Sequence, residues 1–133
     1  MAAKQVICDT DVMIDYLDSR HNRHIGTKGI LEDIIGLDNV VLGGITQIEL
    51  MLGALDKQDL LKIKKSISRF IIILVNQDIN IKASSLIEKY ALSHGLALPD
   101  SLTAATAIVS GLELFTYNVK DYKFISELSL FKF

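Results

Sequence analysis

The chain has 133 residues, enough for one domain with its own core. With 14 basic and 16 acidic residues the net charge is -2, which excludes holding a polyanion by bulk charge alone. Half the residues are hydrophobic and mean hydropathy is +0.34, so a heavily buried sheet and an apolar face for association are expected.

The single cysteine, Cys8, excludes an internal disulfide and agrees with a reducing compartment. The apolar run after Lys4 stops at Asp9, too soon for a secretory leader, and the uncharged span 90–112 is broken by Ser93, His94, Pro99, Asp100, Ser101 and Thr103. A cytoplasmic, membrane-free protein is the expectation. No repeat, low-complexity stretch or linker divides the chain, which makes residues 1–133 one expected domain.

In chain order, β-branched runs alternate with helical patterns. Strands are predicted at Gln5–Cys8, Val40–Leu42, Ile71–Val75, Leu114–Tyr117 and Ser129–Phe131. Helices are predicted at Val12–Asp18, Thr27–Ile35, Ile45–Leu55, Asp59–Arg69, Ile81–His94 and Asp100–Ser110, with a short turn near Asp121–Ile125. This alternation signals an α/β fold with a mostly parallel sheet of about five strands.

Three carboxylates stand alone in stretches without other formal charge. Asp9 does so in 5–10, Glu49 in 39–55 and Asp100 in 90–112. An ionised acid in an apolar segment is costly unless it is paired or binds a cation. In open α/β sheets ligands gather beyond the carboxyl ends of the strands. Asp9 follows the first predicted strand, Glu49 lies a turn into the helix after the second, and Asp100 opens a helix. A fourth acid, Asp121, follows the fourth strand.

Each has an ordinary alternative. Asp9 or Asp11 can cap the first helix, Asp11 being the better placed, at about 1 kcal/mol. Asp100 after Pro99 suits a helix N-terminus, and Asp121 between Lys120 and Lys123 suits a solvated loop. Glu49 has the weakest alternative: helical spacing sets it beside Ile45, Ile48 and Leu52, with no basic residue within a turn. Cys8 and the histidines lack zinc-ligand spacing, and Gly43-Gly44 lacks the remainder of a phosphate-loop motif.

Four blocks carry a resemblance. They are Val6-Ile7-Cys8-Asp9-Thr10-Asp11-Val12, then Ile45-Thr46-Gln47-Ile48-Glu49-Leu50 with Gly53-Ala54, then Leu98-Pro99-Asp100-Ser101-Leu102-Thr103-Ala104-Ala105, and Leu114-Phe115-Thr116-Tyr117-Asn118-Val119-Lys120-Asp121-Tyr122. In this order and spacing the chain resembles the PIN-domain ribonucleases, and among them the VapC-type toxins of toxin–antitoxin modules. The resemblance implies a three-layer α/β/α sandwich and an endoribonuclease using one or two Mg²⁺ or Mn²⁺ ions.

The acidic site it implies is Asp9, Glu49, Asp100 and Asp121, with Asp9, Asp100 and Asp121 on the metal and Asp11, Thr116 and Asn118 supporting. Asp11 stands where such toxins often carry asparagine. Substrate contacts are expected from Arg20, Arg23 and Lys28, or from Lys57, Lys62, Lys64, Lys65 and Arg69. The implied partners are RNA, an antitoxin protein and a second copy of the chain, paired through the helices between Ile45 and Phe70.

The chemistry of the residues agrees. Two carboxylates about 5 Å apart repel by roughly 3 kcal/mol at an effective dielectric near 20, so four together call for a cation. Oxygen ligands select Mg²⁺ or Mn²⁺ over zinc. Two alternatives stay open. Asp-Thr-Asp-Val after a strand also resembles the first motif of haloacid-dehalogenase-like phosphatases, although no later acidic pair follows. The other is a PIN-like module that only binds proteins.

Overall fold

Alternating side chains of short strands divide the core in two. Val6, Cys8, Val40, Leu42 and Phe115 enter one apolar cluster, while Ile7, Val41 and Leu114 enter the other. The period of two sends successive residues to opposite faces, so a sheet apolar on both faces must be covered on both. The computed structural model describes residues 4–133 and shows that arrangement, a three-layer α/β/α sandwich. Residues 1–3 of the expected 1–133 domain lie outside the described residues.

The strands are β1 (Val6–Cys8), β2 (Val40–Gly43), β3 (Ile71–Ile73) and β4 (Glu113–Phe115), in the order β3-β2-β1-β4. All pairings are parallel: Val6 faces Val40 and Glu113, and Cys8 faces Phe115. The predicted fifth strand contributes one parallel bridge, Leu130 beside Leu114. Its backbone meets β4 through Leu114 N to Ser129 O (2.9 Å) and Phe131 N to Leu114 O (2.8 Å).

On one face lie α1 (Thr10–Leu17), α2 (His24–Gly29), α3 (Gly44–Leu52) and α4 (Lys57–Ile67). Val12, Met13, Leu50 and Ile67 from these helices pack there. The other face is covered by α5 (Gln77–His94) and α6 (Leu98–Ser110), through Ile79, Leu86, Ala104 and Ala107.

Caps shift several predicted boundaries. Asp9, not Asp11, caps α1, because its extended backbone precedes Thr10 and its carboxylate accepts from the Thr10 N–H. Asp56 caps α4 and Asn76 caps α5, so both helices start before the predicted Asp59 and Ile81. The predicted helix 27–35 divides into α2 and a π-helical stretch, Ile30–Ile35, that stops at Gly36. Gly36 has φ +86°, a conformation that favours glycine.

One predicted face is turned round. Ile48 and Leu52, 54% and 80% exposed, do not enter the core. The face of α3 that does so carries Gly44, Thr46 and Leu50. Glu49 is therefore at the rim of an exposed apolar surface rather than inside an apolar layer.

Candidate metal centre

Parallel register builds the first half of the site. Cys8 pairs with Phe115, so the next residues, Asp9 and Thr116, leave the carboxyl edge of the sheet side by side. The Asp9 N–H donates to Phe115 O (2.9 Å), and the buried Thr116 hydroxyl donates to Asp9 Oδ2 (2.9 Å). The other oxygen of Asp9 accepts from Thr10 N (2.8 Å). Asp9 is 7% exposed, and burial raises its pKa despite these donors.

Helices deliver the other acids. Asp100 lies in the first turn of α6, behind Pro99, and accepts at Oδ1 from the Tyr122 hydroxyl at 3.1 Å. The same hydroxyl is 3.1 Å from Asp9 Oδ2. Burial first, then the charges of Asp9, Asp121 and Glu49, raise the Asp100 pKa, while the Tyr122 bond works in the opposite sense. Glu49 Oε1 accepts from Thr10 Oγ1 at 2.7 Å, and that hydroxyl also sits 3.1 Å from buried Thr46 Oγ1. Asp121 closes the short 3₁₀ turn Val119–Asp121 and is exposed.

Asp11 is held by two backbone donors, Val12 N (2.8 Å) and Tyr117 N (3.0 Å). Burial, with Asp9 beside it, still pushes its pKa up to about 6. Asn118 meets the site through its backbone, its N–H donating to Thr116 Oγ1 at 3.1 Å.

The predicted substrate-binding residues have protein partners of their own. Arg23 Nε donates to the buried Asp15 at 2.6 Å, and its guanidinium carbon lies 4.2 Å from the Tyr117 ring centroid. His21 Nδ1 is 3.0 Å from the other Asp15 oxygen. Arg20 pairs with Asp18 at the surface, whereas Lys28 is exposed in the last turn of α2.

Among the described residues, the ion pairs engage Asp15, Asp18, Asp38 and Glu127, and none of the candidate acids. No group of three or more His, Cys, Asp and Glu there is already drawn together as a cage. The donor set nevertheless fits a hard divalent cation. It consists of carboxylate oxygens from separate elements; burial raises the pKa of Asp9, Asp11 and Asp100, and among the described residues no ion pair engages Asp9, Glu49, Asp100 or Asp121. A cation is what would relieve them.

Sequence reasoning missed Tyr122, Thr10, Thr46 and Asp15. Tyr122 is 1% exposed with its hydroxyl on two carboxylates, and the signal was a tyrosine beside Asp121 in an otherwise apolar-periodic stretch. Asp15 is 1% exposed, and an acid between Ile14 and Tyr16 hinted at it. Beside Glu49, a groove of about 630 Å³ opens between α1, α3 and α4, lined by Ile14, Leu17, Arg20, Leu55 and Ile63. No helix among the described residues is long and apolar enough to cross a membrane.

Comparison with known proteins places these features in a family context. A family model described as PIN domain matches residues 6–124. The structure is similar to a chain of a toxin–antitoxin complex from Klebsiella pneumoniae, at 31% identity and TM-score 0.76, covering 93% of this chain and 95% of that one. It is also similar in fold to VapBC2 from Rickettsia felis bound to a promoter DNA fragment (21% identity, TM-score 0.76, coverage 96% and 98%). FitAcB from Neisseria gonorrhoeae shares the fold as well (24% identity, TM-score 0.73, coverage 96% and 97%). No curated protein matches the chain.

Proposed function

The chain belongs to the PIN-domain family, and on that premise we propose that it is a Mg²⁺- or Mn²⁺-dependent endoribonuclease, the toxin of a VapC-type toxin–antitoxin pair. One observation carries this reading: Asp9 and Asp100 turn carboxylate oxygens to one hydroxyl at the carboxyl edge of a parallel sheet, with no basic side chain among the described residues paired to either. Similarity to a toxin–antitoxin chain at 31% identity supports the toxin assignment.

When bound, a divalent cation activates water and steadies the leaving oxygen of a phosphodiester. Asp9, Asp100 and Asp121 are the residues that would hold it. Glu49, whose Oε1 is tied to Thr10, would take the proton of the attacking water with its other oxygen. Thr116 and the Asn118 backbone keep Asp9 oriented, as partners behind a ligating carboxylate do. Arg20, Lys28 and the guanidinium edge of Arg23 not used by Asp15 grip the RNA phosphates.

The same site would suit inhibition by a protein antitoxin. A segment lying along the groove beside Glu49 and carrying a basic residue on to the carboxylates at the sheet edge would block RNA. The cytoplasm, where RNA and a reduced Cys8 coexist, is the compartment this reading requires.

The test is calorimetric Mn²⁺ titration beside cleavage of a mixed RNA, for the parent chain and for Asp9→Asn, Glu49→Gln and Asp100→Asn. Asp9→Asn and Asp100→Asn should weaken Mn²⁺ by roughly tenfold or more and abolish cleavage. Glu49→Gln should lose cleavage with a smaller change in affinity, and Asp121→Asn should be the mildest. Full activity in Asp9→Asn or Asp100→Asn would sink the mechanism. A parent chain that ignores Mn²⁺ and RNA but binds a protein partner would instead be a non-catalytic module.

A further inference from the structure

Tyr122 has a ring that packing explains and a hydroxyl that packing does not. The ring belongs to the core beneath α5 and α6, with Leu114, Ala104 and Ile125, and phenylalanine would fill that space equally. The hydroxyl instead reaches the sheet edge, 3.1 Å from Asp9 Oδ2 and 3.1 Å from Asp100 Oδ1.

The two acids depend on it unequally. Asp9 is also anchored by Thr10 N and by Thr116. For Asp100 the Tyr122 hydroxyl is the one side-chain hydrogen bond found among the described residues. Asp100 is half-buried, in the first turn of a helix, and the charges of Asp9, Asp121 and Glu49 bear on it. Without a tether, that repulsion favours a rotamer turned to solvent.

Resting on the metal-centre reading, we propose that Tyr122 is a positioning residue whose hydroxyl tethers Asp100 beside Asp9, so that both carboxylates are set for a divalent cation before it arrives. The hydroxyl has one proton and two acceptors, so it is shared between the acids and leaves lone pairs on each for the ion. Ordering ligands in advance raises affinity because binding no longer has to order them. The effect therefore belongs to metal affinity before it belongs to catalysis.

The experiment uses the full chain and Tyr122→Phe, with Tyr90→Phe as a second buried tyrosine on α5, away from the acids. Mn²⁺ affinity is measured by calorimetry, and melting is followed with and without Mn²⁺. Tyr122→Phe should melt cooperatively, bind Mn²⁺ about tenfold more weakly, and show a smaller Mn²⁺-induced rise in Tm. Tyr90→Phe should bind Mn²⁺ as the parent does.

Parent-like affinity in Tyr122→Phe overturns the proposal, as does an equal loss in Tyr90→Phe. A Tyr122→Phe chain that no longer melts cooperatively also overturns it, because the hydroxyl is then a group the fold itself needs. Failure of the parent chain to bind Mn²⁺ is a separate result: it overturns the metal-centre reading and this inference with it.

Discussion

Desolvated carboxylates at the sheet edge give the metal-free protein a particular pH response. Asp11, with its pKa pushed up to about 6 by burial and then by Asp9, keeps its proton in the fold longer than in the unfolded chain, where the ordinary value is 3.8. Between those values the folded state binds more protons, so stability falls as pH rises from about 4 to about 6. Asp9 and Asp100, also shifted upward by burial, add to the same slope. Without metal, Tm should decline across this window, and Asp11→Asn should flatten the decline. Mn²⁺ should reverse the trend, because its ligands must be deprotonated. A Tm that climbs steadily from pH 4 to pH 6 in chelator would contradict this account.

At the scale of elements, the loop joining α1 to α2 hangs on one buried acid. Asp15, 1% exposed, is held by Arg23 and His21, and its carbonyl oxygen lies 3.0 Å from His24 Nδ1. Arg23 also covers the ring of Tyr117, a residue whose hydroxyl is 2.6 Å from Thr27 Oγ1 and whose backbone N–H donates to Asp11. Arg23→Ala leaves the Asp15 charge with His21 alone. A fully buried pair would lose several kcal/mol, but Arg23 is half exposed, so a loss of about 2 kcal/mol is expected. Arg23→Lys should recover only part of it, since an ammonium stacks less well on the ring. Chemical denaturation measures both. If Arg23 serves only RNA, stability will be unchanged and cleavage alone will fall.

For the molecule as a whole, the exposed apolar surface bears on association. Ile48, Leu52, Leu55 and Leu61 of α3, α4 and their connection stand 54%, 80%, 87% and 66% exposed. Such a surface is suited to association. We expect a homodimer through these helices, and Leu52→Glu with Leu55→Glu should convert it to a soluble monomer in light scattering. A parent chain that is monomeric at tens of micromolar would remove the need for this interface. The groove beside Glu49 borders the same helices, so the proposed dimer surface and any antitoxin-binding surface should be mapped together.

The α/β class and the isolation of three acids were legible because both leave local marks. Short β-branched runs alternating with helical patterns announce an α/β fold with a mostly parallel sheet, and an acid stranded among uncharged residues announces a demand for a counter-charge. Asp9, Glu49 and Asp100 stood out in that way, and the four spaced blocks gave the family resemblance that residues 6–124 bear out. Other features belong to the tertiary structure alone. Parallel register set Thr116 against Asp9, and the packing of α6 set Asp100 within reach of Tyr122. Arg23 was readable as a free cation until the fold buried Asp15 beneath it. The reversed face of α3 has the same origin: apolarity marks a residue for burial, but only the arrangement of neighbouring elements, or of another chain, decides against what.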